Sequence, residues 1–229
     1  MITYKNKTAF TIGSDPELFL CKRDEGFVAV QPYVKGTKKE PQPLPSGGNV
    51  QRDNVAIEFG TVPATSEDDF IETLNDTLYD LCETVTYPNY LQMIPIASAT
   101  FPKDQLTHAE CKEFGCEPDF NAWETGAINK MADDAADGAF RSCGGHIHVG
   151  FMRGSGLVFL NTDAGKRKVI QGMDLTCGLA SVLIDKSQAS IDRRKLYGKA
   201  GCYRPTSYGV EYRTLSNFWI RKQEFAQLM

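Results

Sequence analysis

Arg141-Ser142-Cys143-Gly144-Gly145-His146-Ile147-His148-Val149-Gly150-Phe151 carries two of the three histidines in a chain of 229 residues. Ile147, Val149 and Phe151 alternate with His146, His148 and Gly150. That is the period of an extended strand, whose side chains point to opposite faces in turn. The alternation predicts both imidazoles on one face and three apolar side chains on the other. Gly144 and Gly145 permit a sharp turn or a close approach to the backbone at Gly145. A strand with a ligand-bearing face and an apolar face belongs to a sheet with a site on it, so other strands should supply partners for the imidazoles.

Three further stretches repeat the pattern. Ala9 to Cys21 reads as a first strand in which Asp15 and Glu17 share a face; Pro16 between them cannot donate to a ladder and predicts a bulge or an edge. Taken alone, Asp-Pro-Glu reads equally as a turn or a helix start. Val55-Ala56-Ile57-Glu58-Phe59 is a strand with Glu58 opposite Val55, Ile57 and Phe59, a pattern that a wet sheet face explains as well as a site does. Gly209 to Leu215 sets Glu211 and Arg213 on one face, with Val210, Tyr212 and Thr214 on the other. Jointly these strands predict an α+β domain: a curved, mainly antiparallel sheet with helices on its apolar face and acids and imidazoles on its concave face. Acids so grouped raise one another's pKa unless cations stand between them. Oxygen-rich ligands with an imidazole suit Mg²⁺ or Mn²⁺ better than Zn²⁺.

Between these strands, Phe27 to Val34 is expected to return as a hairpin strand, and Lys35 to Asn54, rich in Gly, Pro and Lys, to be irregular. Thr65-Ser66-Glu67-Asp68-Asp69 opens a helix with hydroxyls at the cap and acids in the first turn. Phe70, Leu74, Leu78, Leu81, Cys82 and Val85 form its apolar stripe. Tyr90 to Ala97 is a candidate strand. Lys103 to Ala139, with Phe114-Gly115-Cys116 inside it, has no readable period, and Ala132 to Ala139 is expected to be a loop. Asn161-Thr162-Asp163 caps a helix to about Ile184 with Val169, Met173, Cys177, Ala180 and Ile184 inward. Ile191 to Arg204 is a basic run.

Composition sets bounds. The chain is 41% hydrophobic and 24% charged with a net charge of −4, long enough for one large domain, taken as 1–229, or two small ones. A weakly acidic balance argues against broad nucleic-acid binding, which needs a basic face. Seven cysteines, scattered and without a C-x-x-C pair, read as reduced thiols in a cytoplasm. Met1 to Thr8 is polar with no apolar run after it, so neither a signal peptide nor a membrane span is expected.

The order Asp15-Pro16-Glu17, then Val55-Ala56-Ile57-Glu58-Phe59, then Gly144-Gly145-His146-Ile147-His148-Val149-Gly150, then Tyr197-Gly198-Lys199-Ala200-Gly201-Cys202-Tyr203-Arg204 and Glu211-Tyr212-Arg213 resembles the carboxylate–amine ligases of the glutamine synthetase-like fold. It resembles more closely the bacteriophage-encoded COOH·NH2 ligase family, and Gly36 to Pro41 and Phe114 to Cys116 fit that group too. The resemblance implies an enzyme that activates a carboxylate with ATP as an acyl phosphate, which an amine attacks to give an amide. It implies Asp15, Glu17, Glu58, His146 and Glu211 as metal ligands, with Asp15 shorter than the Glu usual at that place. ATP brings several negative charges to the site, which metal ions and guanidinium groups make tolerable. Arg204 and Arg213 would neutralise charge on the phosphoryl group. Arg193, Arg194 and Lys199 are candidates for the other phosphates. His148 would touch substrate or a ligand, and Asp53 or Glu58 could act as base. Substrates would be small-molecule or peptide carboxylates and amines, in the host cytoplasm if the gene is a phage's, with no nucleic-acid or membrane partner.

Three rivals stand beside this reading. A phosphotransferase on the same fold would stop at a phosphorylated product. A zinc hydrolase would use Cys143, His146 and His148. A non-catalytic phage protein would keep the scaffold alone.

Overall fold

The computed structural model describes residues 10–112, 119–125, 127–129, 138–151 and 158–229. In chain order the strands are β1 (Phe10–Lys22), β2 (Gly26–Val28), β3 (Gln42–Pro43), β4 (Asn49–Asp53), β5 (Ala56–Gly60), β6 (Leu91–Ile94), β7 (Ser98–Thr100), β8 (Phe120–Asn121), β9 (Ala127–Ile128), β10 (Phe140–Ser142), β11 (Gly145–Phe151), β12 (Cys202–Pro205) and β13 (Gly209–Tyr212). The helices are α1 (Glu67–Leu81), α2 (Tyr87–Asn89), α3 (Asp163–Met173), α4 (Leu179–Ile184), α5 (Gln188–Leu196) and α6 (Gln223–Leu228).

Among the described residues, one sheet of eleven strands runs β3-β4-β5-β1-β11-β13-β12-β8-β9, with β2 and β6 also paired to β1. Neighbours are antiparallel throughout. The α+β architecture with a large antiparallel sheet is as the alternation predicts. β1 is central, between β5 and β11, so the expectation that Pro16 marks an edge is corrected. Pro16 is instead tolerated at a break: pairing with β5 holds at Glu17 and Leu18, and resumes where the Thr61 N–H donates to Ser14 O.

Two other readings are corrected. The return strand expected over Phe27 to Val34 stops at Val28, after which Val30 O closes a turn to Tyr33 and Val34. Within the stretch read as irregular, β4 pairs with β5 along its whole length through a two-residue turn, Asp53 facing Ala56. Asn54 takes φ 54° there, a left-handed conformation that Asn tolerates. β12 was likewise hidden in the basic run. The loop expected at Ala132 to Ala139 and the segment Phe114 to Cys116 lie largely or wholly outside the described residues.

The apolar face of the sheet packs under the helices. Leu18, Leu20, Ile57, Phe59, Ile147, Val210 and Tyr212 join Phe70, Leu74 and Leu81 of α1, Ile170 of α3 and Ala226 of α6 in the main core. The Ser66 hydroxyl accepts the Asp69 N–H and caps α1; Thr162 does the same for α3 at Gly165. Both helices widen into a π-turn, at Cys82–Thr86 and Asp174–Gly178, before continuing as α2 and α4. The second π-turn turns Asp174 inward, where it accepts from Tyr212 Oη and Trp123 Nε1. The helices do not all join this layer: Ser98 Oγ on β7 donates to Ala189 O of α5. A smaller core forms around Phe19, Val55, Phe101, Cys111 and Cys143. Among the described residues no helix is long and apolar enough to cross a membrane.

Candidate active site

Register brings the sequence candidates together. Asp15 lies opposite His146 and Gly13 opposite His148. Glu17 lies opposite Glu58, His148 opposite Glu211, and Glu211 opposite Arg204. Residues directly across an antiparallel pair share a face, so Asp15, Glu17, Glu58, His146, His148, Arg204 and Glu211 project from one side. Arg213, two residues beyond Glu211, joins them.

Asp15, His148 and Glu211 each offer a ligand atom within 4.8 Å of the others. His148 Nε2 is 3.0 Å from Asp15 Oδ1. His146 Nδ1 is 3.4 Å from both Asp15 Oδ1 and Glu211 Oε1. His148, expected beside the ligands, therefore stands within the tightest acid–imidazole group. Glu17 is held from the other side, its Oε2 accepting the Gly144 N–H at 2.7 Å.

The glycine pair has a structural explanation. A Cβ on Gly144 would come within 2.3 Å of His146 Nε2, so the imidazole occupies the space that a side chain would need. A Cβ on Gly145 would meet Ser216 O at 2.5 Å and Trp219 Nε1 at 2.6 Å, and Trp219 Nε1 donates to Gly145 O. What approaches Gly145 is the chain's own 216–219 segment.

The acids respond to burial and to one another. Burial pushes Glu17 above the usual carboxylate range, and the Asp53 charge adds to the push. Glu58 is pushed higher still, by burial first and then by Asp15, Asp53 and Glu17. Burial also acts to raise Asp15, but hydrogen bonds and charge from His146 and His148 outweigh it and hold Asp15 below the usual range. Burial works against the His148 imidazolium, yet its bond to Asp15 raises it overall. Buried acids that raise one another's proton affinity, grouped with imidazoles, fit the donor set of a hard divalent ion.

The basic residues take distinct places. Glu211, 2% exposed, receives Arg213 Nη1 on Oε1 and Arg204 Nη1 on Oε2 at 3.2 Å. Arg213 Nε also sits 2.6 Å from Asp119 Oδ1, a partner missed because it lies in the stretch without a readable period. Arg193, 3% exposed, donates to Thr214 O, and burial lowers its pKa against the opposing charge of Glu17. Buried so, it acts on the site through its charge and not through an open contact. Arg194 Nη2 donates instead to Asp185 O, and Lys199 is exposed. Asp53 pairs with Lys38 Nζ at 2.7 Å, which brings an ammonium group to the acidic edge from a segment with no strand signal.

Tyr208 is a further residue the sequence did not single out. It stands in the β12–β13 turn, with its ring stacked on His148 at 5.9 Å between centroids and its Oη 2.5 Å from His148 Nδ1. Burial, with Glu211 and Asp15 behind it, pushes its hydroxyl up to about 12. Cys143, which a zinc hydrolase would need as a thiolate, is fully buried in the smaller core; burial and the Glu17 charge push its thiol well up. The six described cysteines are free thiols.

Replacing Arg213 with Lys tests the two-pronged contact. A single ammonium cannot reproduce the two-pronged contact with Glu211 and Asp119, and losing one charge-assisted hydrogen bond is expected to lower the activity of the site by about 10–100-fold. Turnover within twofold of the unmodified protein would remove Arg213 from the site.

No curated protein matches the chain. Residues 135–229 match the family described as Phage phiEco32-like COOH.NH2 ligase-type 2, a stretch that contains His146, His148, Arg204, Glu211 and Arg213, whereas Asp15, Glu17 and Glu58 lie before it. Over these matched residues the chain is similar to that family of phage COOH·NH2 ligases.

Proposed function

We propose that the protein is an ATP-dependent carboxylate–amine ligase. The observation that carries this reading is the single sheet face on which six acid and imidazole side chains from β1, β5, β11 and β13 stand with Arg204 of β12 and Arg213, just past β13. Mg²⁺ or Mn²⁺ would be held by Asp15, Glu17, Glu58, His146 and Glu211, with His148 in reach. When bound, such an ion supplies positive charge against the β- and γ-phosphates.

The chain's own residues do the rest. Arg204 and Arg213, held over Glu211, present guanidinium groups to the phosphoryl group passing from ATP to the substrate carboxylate. Asp53, or Glu58 where it does not hold the ion, would take a proton from the incoming amine as the C–N bond forms and phosphate leaves. The test is a screen of acid and amine pairs with Mg²⁺ and ATP, read by ADP release and by mass spectrometry of the product. A new amide together with ADP is the expected result. ADP with a stable phosphorylated product would convert the reading to a phosphotransferase.

A further inference from the structure

Beside the charged cluster, the same sheet face changes character. A cavity of about 390 Å³ is lined by Thr11, Gly13, Gly60, Thr61, Pro63 and Tyr208, with further lining from Ser14 and Gly150, and with Asp15 and His148 at one end. Gly13, Gly60 and Gly150 bring no side chain, so backbone forms much of the floor, and the side chains beside them are short. The Tyr208 ring, 46% exposed, stands over His148 at the rim. Apart from Asp15 and His148 the lining carries no ionisable side chain other than the Tyr208 phenol. A phosphate or carboxylate would find no fixed cation there. A flat, uncharged ring would find a floor low in side chains, an aromatic edge and the hydroxyl of Thr11.

We infer that this cavity binds the nucleobase of the nucleotide, with the ring laid on the Gly13–Gly60 floor and its phosphate tail directed to the Asp15/His148/Glu211 cluster. The inference rests on the proposed ATP-dependent function and adds to it the subsite that recognises the base. It also explains the glycine at position 13. A Cβ there would meet nothing closer than Thr61 Oγ1 at 3.9 Å and His148 Cβ at 4.0 Å. The backbone therefore does not require glycine, and the space is kept open toward the cavity.

That open space makes the test clean. Gly13→Leu projects a side chain into the cavity without displacing a neighbour's backbone; circular dichroism and the thermal midpoint check that the fold is kept, and Gly13→Val gives a smaller plug. Calorimetric titrations in Mg²⁺ compare ATP with inorganic tripolyphosphate, which shares the phosphate end and lacks the base. The unmodified protein is expected to bind ATP about tenfold or more tighter than tripolyphosphate, the scale of one stacked base. Gly13→Leu should erase that difference by weakening ATP alone, and Gly13→Val should erase part of it. Unchanged ATP binding in Gly13→Leu, or equal loss of both ligands in a folded variant, overturns the base pocket. Equal affinity of the unmodified protein for both ligands overturns the pocket while leaving the phosphate site intact. Failure to bind either ligand overturns both the pocket and the nucleotide-dependent function.

Discussion

Glu211→Gln is expected to lower kcat/KM for ATP-dependent turnover by about 10³-fold or more, the scale on which a group that organises charge in the transition state acts. Glu211 is the residue on which the site converges. It belongs to the acid–imidazole group with Asp15 and His148, and it anchors the Arg204 and Arg213 guanidinium groups through its two oxygens. Glutamine keeps the shape but removes the negative charge that an ion and both arginines need. The fold should survive, because Arg213 retains Asp119 and Arg204 is partly exposed, so neither guanidinium is left buried alone. Steady-state kinetics with a thermal melt decide the matter: activity within tenfold of the unmodified protein would contradict the assignment.

The second large effect separates stability from activity. Glu58→Gln should raise the melting temperature of the metal-free protein at pH 7–8 while abolishing turnover. Burial and the charges of Asp15, Asp53 and Glu17 lift the Glu58 carboxyl well above its ordinary value, so ionising it in the folded chain is unfavourable. An amide of the same shape removes that repulsion. A gain of about 1 kcal/mol corresponds to about 2–4 °C in a domain of this size. A site acid that costs stability when its ion is absent is the usual trade between function and stability.

The sign of the pH dependence follows. Between their unfolded and folded pKa values, Glu17 and Glu58 bind more protons in the folded state than in the unfolded one. Stability therefore falls as pH rises through that window. His148, also raised, contributes stability fully present below its ordinary value of 6.5 and lost as pH rises through its folded value. Asp15, lowered, acts in the opposite direction but only in acid, below its ordinary value of 3.8. The metal-free protein should therefore melt higher near pH 6 than near pH 8, and added Mn²⁺ should flatten that slope by binding the ionised acids. A melting temperature that rises from pH 6 to pH 8 without metal would refute the account of the acidic face.

Much of this site was legible before any fold was known, for a local reason. Side-chain alternation with period two is a property of each strand alone, so His146 with His148, Asp15 with Glu17, and Glu211 with Arg213 could each be given a common face from spacing. The helix caps at Ser66 and Thr162 were readable for the same reason, since a cap hydroxyl serves an N–H within its own first turn. β4 and β12 escaped because their sequences alternate weakly and are framed by Gly, Pro and Lys; they are strands through the partners they pair with, β5 and β13.

By itself, then, the sequence determined which residues stand together on each strand, and that the strands have one charged and one apolar face. Only the tertiary structure decided which strands are neighbours, and therefore that His148 completes the group with Asp15 and Glu211, that Asp119 shares Arg213, and that Tyr208 covers His148. Those contacts join positions tens to nearly two hundred residues apart in the chain. Register and pairing across such distances are set by how the whole apolar face packs, which no local pattern encodes.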